Sequence, residues 1–295
     1  MRLYVIGREG QVARSLREAA AGRADIVFGS SSRADIDLRD PASVERALAV
    51  FRPDVVVNPA AYTAVDKAES EPGQAFAINR DGAGAVAAAA ATCGAPIIHF
   101  STDYVYDGRK PEAYLESDPV APQGVYGASK LAGELAVAAA NPRHVVLRTA
   151  WVYAPFGANF VRTMLRLAAE RGRLRVVDDQ IGCPTYAPDL AEATLAIAAQ
   201  IAGAGWRPDH AGVTHLAGPD ALSWCGFARE IVRQSAVRGG CSVPVDPITT
   251  ADYPTPAARP ANSRLATARL ADVFDIRLQS LETSLSNCLD RLLQS

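Results

Sequence analysis

Five short apolar runs, "LYVIG", "DIVFG", "DVVVN", "PIIHFS" and "HVVLRT", alternate with helical patterns through the first half of the chain. They are apolar at nearly every position rather than at every second one, so each strand must be covered on both faces. The intervening segments "QVARSLREAAAG", "DPASVERALAVF", the alanine-rich "AGAVAAAAATCGAP" and "YGASKLAGELAVAAAN" have the helical period and supply that cover. The pattern predicts an α/β fold, a doubly wound parallel sheet. Helix boundaries agree: Asp40 precedes Pro41 as an N-cap, and Gly22 follows the first helix. "DIDLRD" reads as a further strand ending at Asp37 and Leu38, and "NPAAYT", residues 58–63, closes the strand after it.

The first strand runs into "GREGQVA", residues 7–13, which opens the first helix. Gly7 and Gly10 let the backbone turn sharply and approach a pyrophosphate, and the helix N-terminus offers unpaired N–H groups. The spacing is GxxGxxA, and Ala13 is small enough for close helix–strand packing. The second strand ends in "FGSSSR", where an NAD site commonly has an acidic residue for the ribose hydroxyl. Ser30 and Arg33 stand there instead, groups that pair with a 2′-phosphate, so NADPH is favoured and NADH is the alternative. Asp37 and Leu38 are placed to flank an adenine, and the small residues of "NPAAYT" to line the cofactor. Residues 1–150 are therefore expected to form an NADP(H)-binding Rossmann domain.

Past residue 150 the alternation loosens into proline- and glycine-containing loops, with "LRVVDD", "VTHLAG" and "CSVPVDPI" as candidate strands. Residues 151–295 are expected to form mainly a smaller C-terminal substrate-binding domain over the carboxyl ends of the strands, where open α/β sheets bind ligands. Elements near 185–218 are expected to return to the sheet. The formal net charge of −2, from 30 basic and 32 acidic residues, gives no field to gather nucleic acid or an anionic membrane. A small molecule is the expected partner. Five cysteines without a CxxC pair and only four histidines suggest no metal site and a reducing compartment. "MRLYVIG" enters a strand at once, and no run of about 18 apolar residues follows, so a cytoplasmic location is expected.

Tyr126 and Lys130, in "VYGASKLAGE", lie four apart on one helical face. A free phenol, with a pKa of about 10, exchanges protons poorly at neutral pH, and a nearby ammonium lowers that value. The spacing alone is common in helices. It gains weight from "HFSTDYVYDG", where a strand ends in Ser101, Thr102 and Asp103, because Thr102 can give a carbonyl oxygen a second hydrogen bond.

A nucleotide turn, a strand-end hydroxyl, a tyrosine and a lysine in this order resemble the extended short-chain dehydrogenase/reductases. "TAVDKAE", "RTAWVY", "DQIGCPT" and "YPTPAARPANSRL" are similar to the branch that completes dTDP-L-rhamnose synthesis. The resemblance implies reduction of the C4 keto group of a dTDP-linked 4-dehydro-6-deoxysugar by hydride transfer from NADPH. It places Gly10, Gln11 and Val12 on the cofactor phosphates, Asp37 and Leu38 at the adenosine, and Ala61, Tyr62 and Thr63 at the middle of the dinucleotide. Tyr126 becomes the proton donor, Lys130 its partner and a ribose ligand, and Thr102 and Asp103 contacts to the sugar. Trp151 would pack on the sugar or nucleotide, or be an ordinary core aromatic. Asn159 and Arg259 would reach the nucleotide of the substrate, unless the "RPANSR" segment is a loop clamp. Asn79 matches a helix asparagine that supports the lysine, or serves a structural hydrogen bond.

Three residues depart from the family pattern. Pro59 removes a backbone donor beside the cofactor, Ser30 to Arg33 lean away from NADH, and Ser15 stands where some members have a glutamate for magnesium at a dimer interface. A homodimer is an expectation that this last change weakens. The rival readings are a nucleotide-sugar epimerase or dehydratase and a non-catalytic NADP-binding regulatory subunit.

Overall fold

The valine- and isoleucine-rich runs form strands, and the alanine-rich segments form helices. The computed structural model describes residues 1–293. Its first half contains β1 (Arg2–Ile6), α1 (Gln11–Ala20), β2 (Val27–Ser31), α2 (Pro41–Phe51), β3 (Val55–Asn58), the short α3 (Val65–Ala68) and α4 (Pro72–Phe76), a π turn over Ala77–Gly82, α5 (Ala83–Thr92), β4 (Ile97–Thr102), α6 (Val125–Ala140) and β5 (His144–Thr149). The second half adds β6 (Val152–Tyr153), α7 (Phe160–Glu170), β7 (Leu174–Val177), β8 (Ile181–Gly182), β9 (Thr185–Tyr186), α8 (Ala187–Ile201) and β10 (Gly212–His215). It closes with β11 (Leu222–Ser223), α9 (Trp224–Ala236), β12 (Val245–Ile248), β13 (Asn262–Ser263), α10 (Ala268–Phe274) and α11 (Leu281–Leu293).

Six strands form one parallel sheet in the order β10-β5-β4-β3-β1-β2. Neighbouring residues point to opposite faces. Leu3, Val5, Val57, Ile98 and Phe100 pack with α1 and α8, whereas Tyr4, Ile6, Val56 and Ile97 pack with α2, α5 and Val137 of α6. Both faces are thus covered, as continuous apolar strands require. The chain reverses its direction of winding between β1 and β3, which opens a crevice at the carboxyl ends of those strands.

A separate apolar cluster joins α7, β7, α9, β12 and α11 through residues such as Val161, Leu174, Phe227, Val245 and Leu285. This half reaches the crevice through Asn159, Ser263 and Arg259. Among the described residues, no helix is long and apolar enough to cross a membrane.

The strand expected at "DIDLRD" does not form: Asp37 and Leu38 lie in a loop. Asp37 holds Arg39 through both its backbone amide and its guanidinium, and Ser43 Oγ donates to the Asp37 carbonyl. These local bonds curl the segment into the N-cap of α2, where Asp40 accepts from the Ala42 amide. Short polar side chains that capture nearby backbone compete with a sheet ladder, and here they prevail.

Candidate active site

The nucleotide turn is built as the glycines require. Gly7 has φ +107°, and its amide donates to the Ser31 carbonyl at 2.9 Å, tying the turn to β2. Gly10 is the N-cap of α1 without a side-chain cap bond, so first-turn N–H groups lack a protein acceptor. A Cβ at Gly10 would meet nothing within 4 Å, leaving room for a bulky anion. The first turn contains no acidic residue. A dinucleotide diphosphate fits these groups.

At the end of β2, Arg33 is exposed and the Ser31 hydroxyl is buried without a partner. The arginine that reaches this strand end is Arg8, which donates to the Ser30 carbonyl at 3.0 Å and pairs with Asp35 at 3.3 Å. The motif reading passed over Arg8 because it treated the non-glycine positions of the turn as spacers. On the opposite side, Tyr62 is pinned by Asn79, which accepts from its amide at 2.8 Å and donates to its carbonyl at 3.1 Å. Asn79 also donates to Ser129 Oγ at 2.9 Å, so it braces the Ala61–Thr63 loop against α6 rather than contacting Lys130. The π turn that carries Asn79 is a local irregularity often found at functional sites.

Tyr126 lies in the first turn of α6, its ring edge-on to Tyr104 at 5.4 Å. Burial pushes its phenol up to about 12; a hydrogen bond with Thr102 works against this, and the Asp103 carboxylate adds to it. Lys130 departs from expectation. Its Nζ donates to the Phe100 carbonyl at 2.6 Å and stands 3.4 Å from His99 Nε2. In this state it does not depress the phenol, because the β4 backbone draws the amine beneath the site.

Thr102 donates to Asp103 Oδ1 at 3.0 Å, and Ser263 donates to the other carboxylate oxygen at 2.5 Å. Asp103 is only 4% exposed, so it faces these hydroxyls rather than open solvent. Burial raises its pKa from 3.8 to about 6, against the pull of the bonds from Ser263 and Thr102. An acid whose pKa is higher folded than unfolded opposes folding once ionised: the penalty is absent below 3.8, grows between the two values and is complete above about 6. Asp103→Asn, which keeps both bonding partners, should therefore raise stability by on the order of 2 kcal/mol at neutral pH and change little at about pH 4. Thermal melts at the two pH values check this; an equal shift at both would contradict it.

Three expected substrate residues have protein partners. Asn159 caps α7 and its amide donates to Gln11 at 3.0 Å and to the Ala154 carbonyl at 2.8 Å, which couples it to the nucleotide turn. Arg259 forms an ion pair with Asp66 at 2.6 Å, and Asp66 also accepts from the Ala257 amide, so this segment acts as a clamp. Trp151, at φ +49°, stacks face to face on Trp224 with centroids 3.4 Å apart, and lies against Gly182.

Below the site, Arg148 grips Glu134 through two nitrogens, at 2.9 and 2.6 Å. Ser101 donates to the same carboxylate, and Arg148 donates to Tyr106, whose hydroxyl lies 2.7 Å from His215 Nε2. This buried network joins β4, α6, β5 and β10.

A family model described as the RmlD substrate binding domain matches residues 1–294. A dTDP-4-dehydrorhamnose reductase of Sinorhizobium fredii (strain NBRC 101917 / NGR234) is 48% identical over 284 residues, covering 96% of this chain and 95% of the relative. The chain belongs to the dTDP-4-dehydrorhamnose reductase family. Another member of that family, from Escherichia coli (strain K12), is 40% identical across 99% of this chain and 98% of its own. The dTDP-4-dehydrorhamnose reductase of Clostridium acetobutylicum ATCC 824 superposes with a TM-score of 0.92 at 37% identity, covering 100% of each chain. That of Bacillus anthracis str. Ames, solved in complex with NADP, gives 0.89 at 33% identity and 97% of each chain.

Membership makes the chain an NAD(P)H-dependent oxidoreductase with a Rossmann-type sheet. A UDP-glucose 4-epimerase of Thermus thermophilus shares the fold at 22% identity and a TM-score of 0.79, but it lies outside the dTDP-4-dehydrorhamnose reductase family.

Proposed function

We propose that this chain reduces dTDP-4-dehydro-L-rhamnose (dTDP-4-dehydro-6-deoxy-L-mannose) to dTDP-L-rhamnose, with NADPH as hydride source and Tyr126 as proton donor. The observation that carries the reading is the juxtaposition of Tyr126, Thr102 and Asp103 at the carboxyl end of β4, in a chain related over nearly its full length to reductases of that name.

Gly7, Gly10, Gln11 and Val12 hold the diphosphate through backbone N–H groups at the start of α1. Ser30 and Arg33, together with Arg8, face the 2′-phosphate end. Ala61, Tyr62 and Thr63 line the crevice beside β3, and Asp37 and Leu38 border the adenosine end. Lys130 serves the ribose. A bound reduced nicotinamide supplies the hydride.

Tyr126, with its pKa near 12, stays protonated at neutral pH, so it is a donor in waiting. As negative charge grows on the substrate oxygen, the phenol gives up its proton, and Thr102 orients that oxygen through its own hydroxyl. Trp151 offers an apolar wall, while Asn159 and Arg259 shape the nucleotide end through the turn and clamp they hold. We assign residues 1–150 chiefly to the cofactor and 151–295 chiefly to the sugar nucleotide.

A coupled assay tests the function. An upstream 4,6-dehydratase and 3,5-epimerase feed the chain, and NADPH absorbance is followed. Net oxidation with stoichiometric dTDP-L-rhamnose is the expected result; product without net oxidation supports an epimerase or dehydratase, and no turnover a regulatory subunit. In the same assay Arg33→Ala should lower the preference for NADPH over NADH by about tenfold, the loss of one exposed phosphate contact.

A further inference from the structure

Asn58 and His99 are wholly buried, and Lys130 is only 2% exposed. The first two face each other in register across β3 and β4. The Ala60 amide donates to Asn58 Oδ1 at 3.2 Å, which turns Asn58 Nδ2 toward His99 Nδ1, also at 3.2 Å. An amide nitrogen only donates, so His99 Nδ1 carries the lone pair and the ring proton sits on Nε2. Nε2 faces Lys130 Nζ at 3.4 Å.

An ammonium has three donors and no acceptor, so here it would set N–H against N–H. A neutral amine accepts from Nε2–H and still donates to the Phe100 carbonyl at 2.6 Å. The ionisable groups toward Lys130 are Tyr126 and Glu134 on α6, His99 on β4 with Asp103 just past its end, and Arg148 on β5. Glu134 is already gripped by Arg148 at 2.6 Å, and Asp103 by two hydroxyls. Asn58 on β3 and Asn79 in the π turn bear no charge.

We propose that Asn58 and His99 form a buried dock that holds Lys130 as an uncharged amine until a dinucleotide enters, so that loading the site draws one proton from bulk water onto Nζ. His99 is thus a positioning residue that sets both the place and the charge of the lysine. The inference rests on the assignment of Lys130 to the cofactor ribose, where an ammonium has hydroxyl oxygens to meet. Burial agrees with it: the Lys130 pKa falls to about 8, with Glu134 opposing the fall, and His99 is held well below its ordinary value.

Calorimetric titration of the full chain with NADP⁺, which binds without turnover, measures the proton count when run in two buffers of unlike ionisation enthalpy. The 2′-phosphate does not interfere at alkaline pH, since its second pKa is about 6. Uptake should approach one proton per site at about pH 9 and fall to about a tenth of that at pH 7. His99→Gln places a carbonyl oxygen where Nε2 was, which accepts from an ammonium; NADP⁺ should bind with the uptake lost. Asn58→Asp accepts from Nδ1–H, moves the lone pair to Nε2 and should give the same loss by a different route. A purely packing role would leave the proton count of folded variants unchanged. Absence of uptake in the wild type, or full uptake in either variant, overturns the inference. Failure of the wild type to bind NADP⁺ overturns the proposed function instead, and this inference with it.

Discussion

Tyr126→Phe is expected to lower turnover by about 10²- to 10⁴-fold while NADP⁺ affinity changes by no more than about threefold. The ring keeps its edge contact with Tyr104, so the fold around α6 has little reason to move. What disappears is the proton that Tyr126 holds at neutral pH beside Thr102. The loss belongs in the chemical step, so a single-turnover measurement with saturating NADPH should show all of it. Wild-type turnover in the variant would remove Tyr126 from the mechanism, and an equal loss of cofactor affinity would recast it as a binding residue.

The second large effect is on stability. Arg148→Met should cost about 3–5 kcal/mol, because it strands the Glu134 carboxylate in the interior. Glu134 and Arg148 are both about 95% removed from solvent, and Ser101 alone would remain to satisfy the carboxylate. For a chain of this size the thermal midpoint should fall by roughly 10 °C. Glu134→Leu combined with Arg148→Met should recover at least half of that, since no charge is then left unpaired. Differential scanning calorimetry of the three proteins decides it. A double variant no better than the single one would mean that the pair is held for its hydrogen bonds to Tyr106 and Ser101 rather than for charge balance.

The sheet was legible because its strands are apolar on both faces and its turns fall at glycines and capped helices. "DIDLRD" misled because its alternation of apolar and polar residues mimics a strand while Asp37, Asp40 and Ser43 close local bonds that a periodicity argument does not weigh. The Tyr126–Lys130 pairing could be read from one turn of helix. The direction taken by the Lys130 amine could not, since its partner is a carbonyl thirty residues upstream. Asn159 and Arg259 meet Gln11 and Asp66 from the other end of the chain, and such contacts leave no trace in spacing. His99 gave no signal either: a single histidine within an apolar strand looks like core until its neighbours are known.

Trp151 adopts a left-handed backbone conformation at the junction of β5 and β6, where a residue with a Cβ is disfavoured by roughly 1–2 kcal/mol. Its indole is clasped between Trp224 and Gly182, and that grip keeps the backbone from relaxing. The junction therefore works as a cocked spring. Anything that slides between the two indoles loosens the grip and collects the released energy as part of its own binding.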